Sequence, residues 1–338
     1  MITLNAISLK QDDWQKALAR AIKTPEALAE HLGLALESLP ALKDAHGAFP
    51  IKVTDYWLGL IEQGNPNDPL LRQILPDAAE LLDVDGFVAD PVDDDAAYRG
   101  NGVIQKYQGR ALLITTGACA IHCRYCFRRH YPYDENSSLK HLSNAVDLLA
   151  NDTSLSEVIL SGGDPLSLSD RRLSELFDKL EAIQHIKRIR LHTRTPVVLP
   201  QRISDSLIER LSRSNKSICI VLHVNHPNEI TQELAAALAP LKHTGISLLN
   251  QSVLLKGIND SSAILRELSE KLFSIGVLPY YCHLLDPVQG AAHFNVEKSA
   301  AEKIEAELKA TLPGYLVPKF VREVPHSSSK VPLADCAQ

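Results

Sequence analysis

The 338-residue sequence contains no run of about 18 apolar residues, the length a helix needs to cross a bilayer. That predicts no membrane-spanning helix. Basic residues are in deficit: 35 Lys and Arg stand against 41 Asp and Glu, for a formal net charge of -6. Without a dense cationic face, nucleic-acid binding by phosphate neutralisation is excluded. Cysteine is scarce, at six, which does not make a disulfide framework. The opening "MITLNAISLKQDDWQKALARAIK" lacks the charged leader, apolar core and small-residue cleavage site of a secretory signal. These absences predict a cytoplasmic protein that meets neither membrane nor nucleic acid. What is present is a hydrophobic fraction of 45%, enough for one large core or a core with a smaller appendage.

Residues 1–100 read as a mainly helical region that becomes irregular. In "TPEALAEHLG", Thr24 is placed to cap a helix, Pro25 to open it and Gly33 to stop it. "GNPNDPLLRQILPDAAELL" and "DPVDDDAAYRGNG" are rich in Pro, Gly and Asp, and the run Asp93 to Asp95 reads as a solvated loop. Residues 101–338 repeat a different pattern. Short apolar runs occur at "RALLIT", "EVILSGG", "IKRIRLHT", "SICIVLHV", "ISLLNQSVLL" and "LPYYCHLL", most of them separated by amphipathic stretches such as "SDRRLSELFDKLEAI". Six such units predict an α/β fold with a parallel sheet, either open and doubly wound or a partial barrel. Both forms gather ligands at the carboxyl ends of the strands. The chemistry-bearing segments do follow strands: a cysteine trio after the first, "SGGDP" after the second, "HTRTP" after the third and "DPVQG" after the sixth.

Of the six cysteines, Cys219 and Cys282 lie in apolar runs and read as core thiols, and Cys336 reads as incidental. Cys119, Cys123 and Cys126 are packed into eight residues, "CAIHCRYC". Three chemistries compete for them. A structural zinc needs four ligands, with His122 and His130 as candidates for the fourth. A redox Cys-x-x-C would use Cys123 and Cys126 but leave Cys119 idle. An iron–sulfur cluster is held by thiolates, usually four; with three, one iron stays open for a small molecule.

The spacing Cys-x3-Cys-x2-Cys, with Tyr125 just before the last cysteine, resembles the signature of the radical S-adenosylmethionine (SAM) superfamily. The resemblance implies a partial (β/α)6 radical-SAM barrel with an N-terminal helical extension, and a [4Fe-4S] cluster on the trio. It further implies S-adenosyl-L-methionine on the open iron, cleaved to a 5′-deoxyadenosyl radical. Ser161, Gly162, Gly163 and Asp164 match the segment that meets the methionyl group; neither glycine has a Cβ to block a close approach. His223 matches a position near the adenosyl group.

"CRYCFRRH", "SGGDPL", "RTPVVLPQRI", "HPNEIT", "NQSVLLKGIND", "PYYCHLLDPVQGAAHF" and "GYLVPKFVRE" together resemble lysine 2,3-aminomutases, closest to the short-chain branch that makes β-lysine for modifying elongation factor P. That family uses pyridoxal 5'-phosphate, so a Schiff-base lysine is required, and Lys330 in "HSSSKVPL" matches it. Arg110, Asn250 and Gln251 match positions lining the pyridoxal pocket. For the substrate, free L-lysine, Arg128 matches the arginine that takes the carboxylate. Asp286 and Glu323 match the acids that take the distal ammonium, with Glu323 one methylene longer than the usual Asp. Two carboxylates there argue against an aminomutase acting on an acidic amino acid. The resemblance also implies a reducing electron donor of flavodoxin or ferredoxin type, and delivery of product to a lysyl-tRNA-synthetase-like ligase. Longer aminomutases carry a structural zinc site. Here Ser261 stands at one of its cysteine positions and the chain stops at Gln338, so that site is expected to be absent. The alternatives are a radical-SAM aminomutase of another amino acid and a non-catalytic zinc-binding scaffold.

Overall fold

The computed structural model describes residues 13–33, 42–133 and 141–336. The first dozen residues of the opening segment and Gln338 lie outside them. Helices α1 (Asp13–Ala19), α2 (Pro25–Leu32), α3 (Leu42–Ala48) and α4 (Asp55–Leu58) come first. The expected punctuation of α2 is present. Thr24 accepts a hydrogen bond from the Ala27 amide, and Gly33 ends the helix at φ 63, a left-handed conformation that suits glycine. Leu28, Trp57, Leu70 and Ile74 of this region share one apolar core with Leu113, Val158 and Leu191 of the repeating region.

A ten-stranded sheet follows, its strands adjacent in chain order. An antiparallel pair, β1 (Tyr98–Gly100) and β2 (Val103–Tyr107), leads into β3 (Arg110–Thr116). Parallel strands then run through β4 (Glu157–Gly162), β5 (Arg188–Thr193), β6 (Ser217–His223), β7 (Ser247–Val253), β8 (Leu278–His283) and β9 (Lys319–Arg322). The two-residue β10 (Val331–Pro332) closes the series antiparallel to β9. All six predicted strands form, and β9 adds a seventh parallel one that its four-residue length hid in the sequence. A doubly wound sheet reverses its strand order at a switch point; unbroken chain order instead gives an open, partial barrel. Between the strands lie α5 (Leu142–Asn151), α6 (Asp170–Glu181), α7 (Thr195–Val198), α8 (Asp205–Ser212), α9 (Gln232–Leu238), α10 (Ser262–Ser274) and α11 (Lys298–Thr311). Ser261 serves as the N-cap of α10, accepting from the Ile264 amide. Among the described residues no helix is long and apolar enough to cross a membrane.

Side chains alternate between the two faces of a strand. Ala111, Leu113, Val158, Leu160, Ile189 and Leu191 are buried in the apolar core. Their neighbours Arg110, Glu157, Arg190 and His192 line a cavity instead, together with Gln251 and Tyr281 from later strands. The alternation thus makes one face ordinary core and the other a polar chamber. It also explains Arg110, which begins its strand rather than following it yet reaches the same chamber.

Two minor expectations need correction. Cys336 is buried, its Sγ against the Pro332 carbonyl, whereas Cys219 is only half-buried. The run Asp93–Asp95 is not uniformly solvated: Asp94 is 1% exposed, accepts from Arg128 Nε (2.7 Å) and forms an ion pair with Lys106 Nζ (2.8 Å). A triplet of like charges carries no local signal of which member will find partners elsewhere in the chain.

Candidate active site

Cys119, Cys123 and Cys126 lie on the loop after β3, at the carboxyl end of the sheet, and all three line the cavity. Segments from both sides hold that loop. The Lys52 ammonium donates to the Cys119 carbonyl (2.6 Å), and the His122 amide donates to the Lys52 carbonyl (2.9 Å). Arg124 is fully buried. Its Nε and NH2 groups donate to both oxygens of Glu80, and NH1 donates to the Phe49 carbonyl. Arg129 donates to the same Glu80. Neither candidate fourth ligand turns to the trio: His122 stacks on Phe49 with Nδ1 at the Pro50 carbonyl, and His130 Nε2 faces the Gln289 carbonyl. Burial raises the thiol pKa of all three cysteines, that of Cys126 to about 11 with Cys123 contributing. Metal binding would therefore release protons from these thiols.

The glycines of "SGGDP" do something more specific than leave room for a ligand. Gly162 has φ 118, and a Cβ there would meet the Thr116 carbonyl oxygen at 2.6 Å. A Cβ on Gly163 would meet the Ala118 carbonyl oxygen at 2.5 Å. Both glycines thus let the loop after β4 press against the cysteine loop, where the Gly163 and Asp164 amides donate to Thr116 and Ala118. Asp164 is buried and latches a third loop. Its oxygens accept from the Leu166, Arg194 and Thr195 amides and from the Thr193 hydroxyl.

Lys330, between β9 and β10, lines the same cavity as the thiols, in a space of ≈ 490 Å³. Its ammonium pairs with Glu323 Oε2, while the Tyr107 hydroxyl donates to Glu323 Oε1. Asp286 also lines the cavity; its Oδ1 is sealed from solvent without a partner, and burial raises its pKa to about 7. Arg110 lies over the Tyr107 ring. The Asn250–Gln251 pair splits. Gln251 faces the cavity, but Asn250 does not line it; its amide bonds the Val224 N–H (2.9 Å) and C=O (3.0 Å). Adjacent strand residues point to opposite faces, so only one of the two can reach the chamber.

Arg128 is buried, held at Nε by Asp94 and donating from NH1 to the Ser161 hydroxyl (3.3 Å). Sequence reading missed Asp94, Tyr107, His192 and His283. The two histidines carried a findable signal, since they alternate with apolar residues inside predicted strands. Burial drives His192 and His283 well below their usual pKa and His223 to about 3, with Arg194 adding to the last. All three are neutral at physiological pH.

The chamber fits the groups expected of it. Among the described residues no three His, Cys, Asp or Glu side chains gather closely enough to hold a single metal ion. Buried polar atoms without partners, His192 Nε2, His223 Nε2 and Asp286 Oδ1, belong to residues that line the chamber. Such atoms are costly unless a ligand or water meets them.

Residues 113–266 match the radical SAM superfamily. The chain is 44% identical over 335 residues to L-lysine 2,3-aminomutase of Escherichia coli (strain K12), covering 98% of this chain and 97% of that one. It is 42% identical to the Haemophilus influenzae protein of the same name, covering 96% and 97%. To that of Clostridium subterminale it is 36% identical, covering 95% of this chain and 78% of the relative. Likeness along nearly the whole length, joined to a thiol-lined chamber in an open α/β barrel, places this chain in the lysine 2,3-aminomutase family of the radical SAM superfamily, isomerases whose membership implies a [4Fe-4S] cluster, S-adenosyl-L-methionine and pyridoxal 5'-phosphate.

Proposed function

We propose that this chain converts L-α-lysine to β-lysine, with the cluster on Cys119, Cys123 and Cys126 and pyridoxal phosphate on Lys330. The observation that carries the reading is the shared chamber, which takes in both the three thiols and Lys330. When bound, these groups supply a carbon radical and a π-bonded nitrogen, which together let the amino group move to the neighbouring carbon. The protein's own residues bind and orient. Ser161, Gly162, Gly163, Asp164 and His223 form the wall for S-adenosylmethionine, with Asp164 acting through the three loops it ties. Gln251 and Arg110 face the pyridoxal group, and Asn250 fixes the strand behind them.

Arg128 takes the substrate carboxylate. Asp94 holds its Nε side, leaving NH2 of the planar fork for the ligand. Asp286 and Glu323 would take the distal ammonium of lysine, Glu323 by exchanging its present Lys330 partner for the substrate. An ammonium beside Asp286 would draw that carboxyl into its ionised form. Electrons come from a soluble donor of flavodoxin or ferredoxin type in the cytoplasm. β-Lysine then passes to a lysyl-tRNA-synthetase-like ligase acting on elongation factor P. Near end-to-end likeness to the shorter relatives, against 78% of the longer one, supports that branch.

The test is anaerobic incubation of reconstituted protein with lysine, S-adenosylmethionine, pyridoxal phosphate and reductant. β-Lysine should form, and should be lost in Lys330→Ala and Cys123→Ala. Full turnover by Lys330→Ala would remove the pyridoxal assignment. Stoichiometric zinc without iron would identify a scaffold.

A further inference from the structure

Every arginine packed near the trio has a carboxylate partner, though two of them share one. Arg124 and Arg129 share Glu80, Arg128 has Asp94, and Arg194 has Glu229 at 3.4 Å. Lys52 does not. Among the described residues its ammonium has no carboxylate within ion-pair distance; it donates to the Cys119 carbonyl. Its placement is fixed. Ile51 and Val53 on either side are buried in the core, and Val53 pairs with Ile22 through a two-way backbone bridge. Alternation along this extended segment therefore turns Lys52 away from the core and toward the cysteine loop. The Lys52 carbonyl accepts from His122 and its side chain donates to Cys119, so one residue grips both ends of the stretch between the first two thiols.

We infer that Lys52 is a positioning residue whose uncompensated positive charge raises the reduction potential of the cluster held by Cys119, Cys123 and Cys126. This rests on the trio being the cluster's ligands. A cluster with three thiolates carries net negative charge, and reduction adds one more electron to it. A fixed ammonium at the loop stabilises the reduced form more than the oxidised one, and the half-buried setting weakens solvent screening. Net charge and hydrogen bonding near the ligands are the protein's levers on cluster potential. Asp94 and Glu229 offset much of that effect for Arg128 and Arg194, and the single Glu80 offsets part of it for Arg124 and Arg129 together; Lys52 has no carboxylate partner among the described residues.

The experiment is an electron paramagnetic resonance redox titration of anaerobically reconstituted protein, comparing wild type with Lys52→Met and Lys52→Arg, with iron and sulfide measured on each. Met keeps the length and removes the charge; Arg keeps the charge. At the potential that half-reduces wild type, the reduced-to-oxidised ratio in Lys52→Met should fall roughly tenfold, equivalent to about 59 mV for a one-electron couple. Lys52→Arg should stay close to wild type. An unchanged potential in a fully loaded Met variant overturns the inference, as does an Arg variant that shifts as far as the Met one. If the Met variant loses iron while the Arg variant keeps both iron and wild-type potential, the ammonium holds the loop rather than sets the potential, and the inference again fails. Absence of iron from wild type would instead remove the cluster assignment itself.

Discussion

Gly163 shows how little latitude a single position has. Its missing Cβ is what lets the Ala118 carbonyl and the Gly117 backbone lie against it, at 2.5 and 2.7 Å from where that atom would sit. These are backbone atoms, so they cannot swing aside. Gly163→Ala should cost about 2–3 kcal/mol of stability and lower the iron retained after reconstitution. Calorimetry and iron analysis check the two effects. Asp286 gives a second prediction at this scale. Its folded pKa, raised to about 7, lies above the unfolded value, so the native state keeps a proton the unfolded chain has released. Protein without ligands should therefore lose stability as pH rises from about 4 to about 7, and level off above that. Asp286→Asn should remove this slope and raise stability at pH 8 by up to about 4 kcal/mol, as read from urea unfolding across pH. An unchanged slope would show that Asp286 is ionised in the native state.

Elements place these residues by alternation and by loop-to-loop contact. The strand β5 puts Arg190 and His192 on the chamber face because Ile189 and Leu191 go to the core. That much follows from period two and was legible in strings such as "IKRIRLHT". The cysteine loop is different, because its stiffness comes from outside itself. Glu80, from a short helical turn at residues 78–81, receives both Arg124 and Arg129 at full burial. Removing one partner of a buried ion pair leaves an uncompensated charge. Glu80→Gln should cost about 3–5 kcal/mol, and thiol-alkylation rates at Cys123 and Cys126 should rise in cluster-free protein. Equal rates in variant and wild type would mean that the loop holds its shape without this brace.

On the scale of the whole molecule, the chamber couples stability to loading. A cofactor that binds only the folded state at a hundred times its dissociation constant adds about 2.7 kcal/mol. Pyridoxal phosphate alone, without cluster or S-adenosylmethionine, should therefore raise the melting temperature of wild type, and the gain should largely vanish in Lys330→Ala. A similar rise in both proteins would place the cofactor's anchor elsewhere. The same coupling links the leading helices to the site. Trp57 and Leu70 share a core with the strands, while Lys52 and Glu80 reach the cysteine loop. Residues before 101 thus contribute to the chamber's wall as well as to the core beneath it.

By itself the sequence determined what depends on near neighbours. Six strand runs, the capped α2 and the gathering of three thiols into one loop are set by spacing over a few residues, and spacing is visible in a string. Tertiary structure alone decided which charges meet. Asp94 finds Arg128 across 34 residues, and Tyr107 finds Glu323 across 216. It also decided that Asn250 turns to the Val224 backbone while Gln251 turns to the chamber. A carboxylate looks the same in the sequence whether solvent or a buried guanidinium awaits it. Its partner is selected only when the strands align in chain order and distant loops converge at their carboxyl ends.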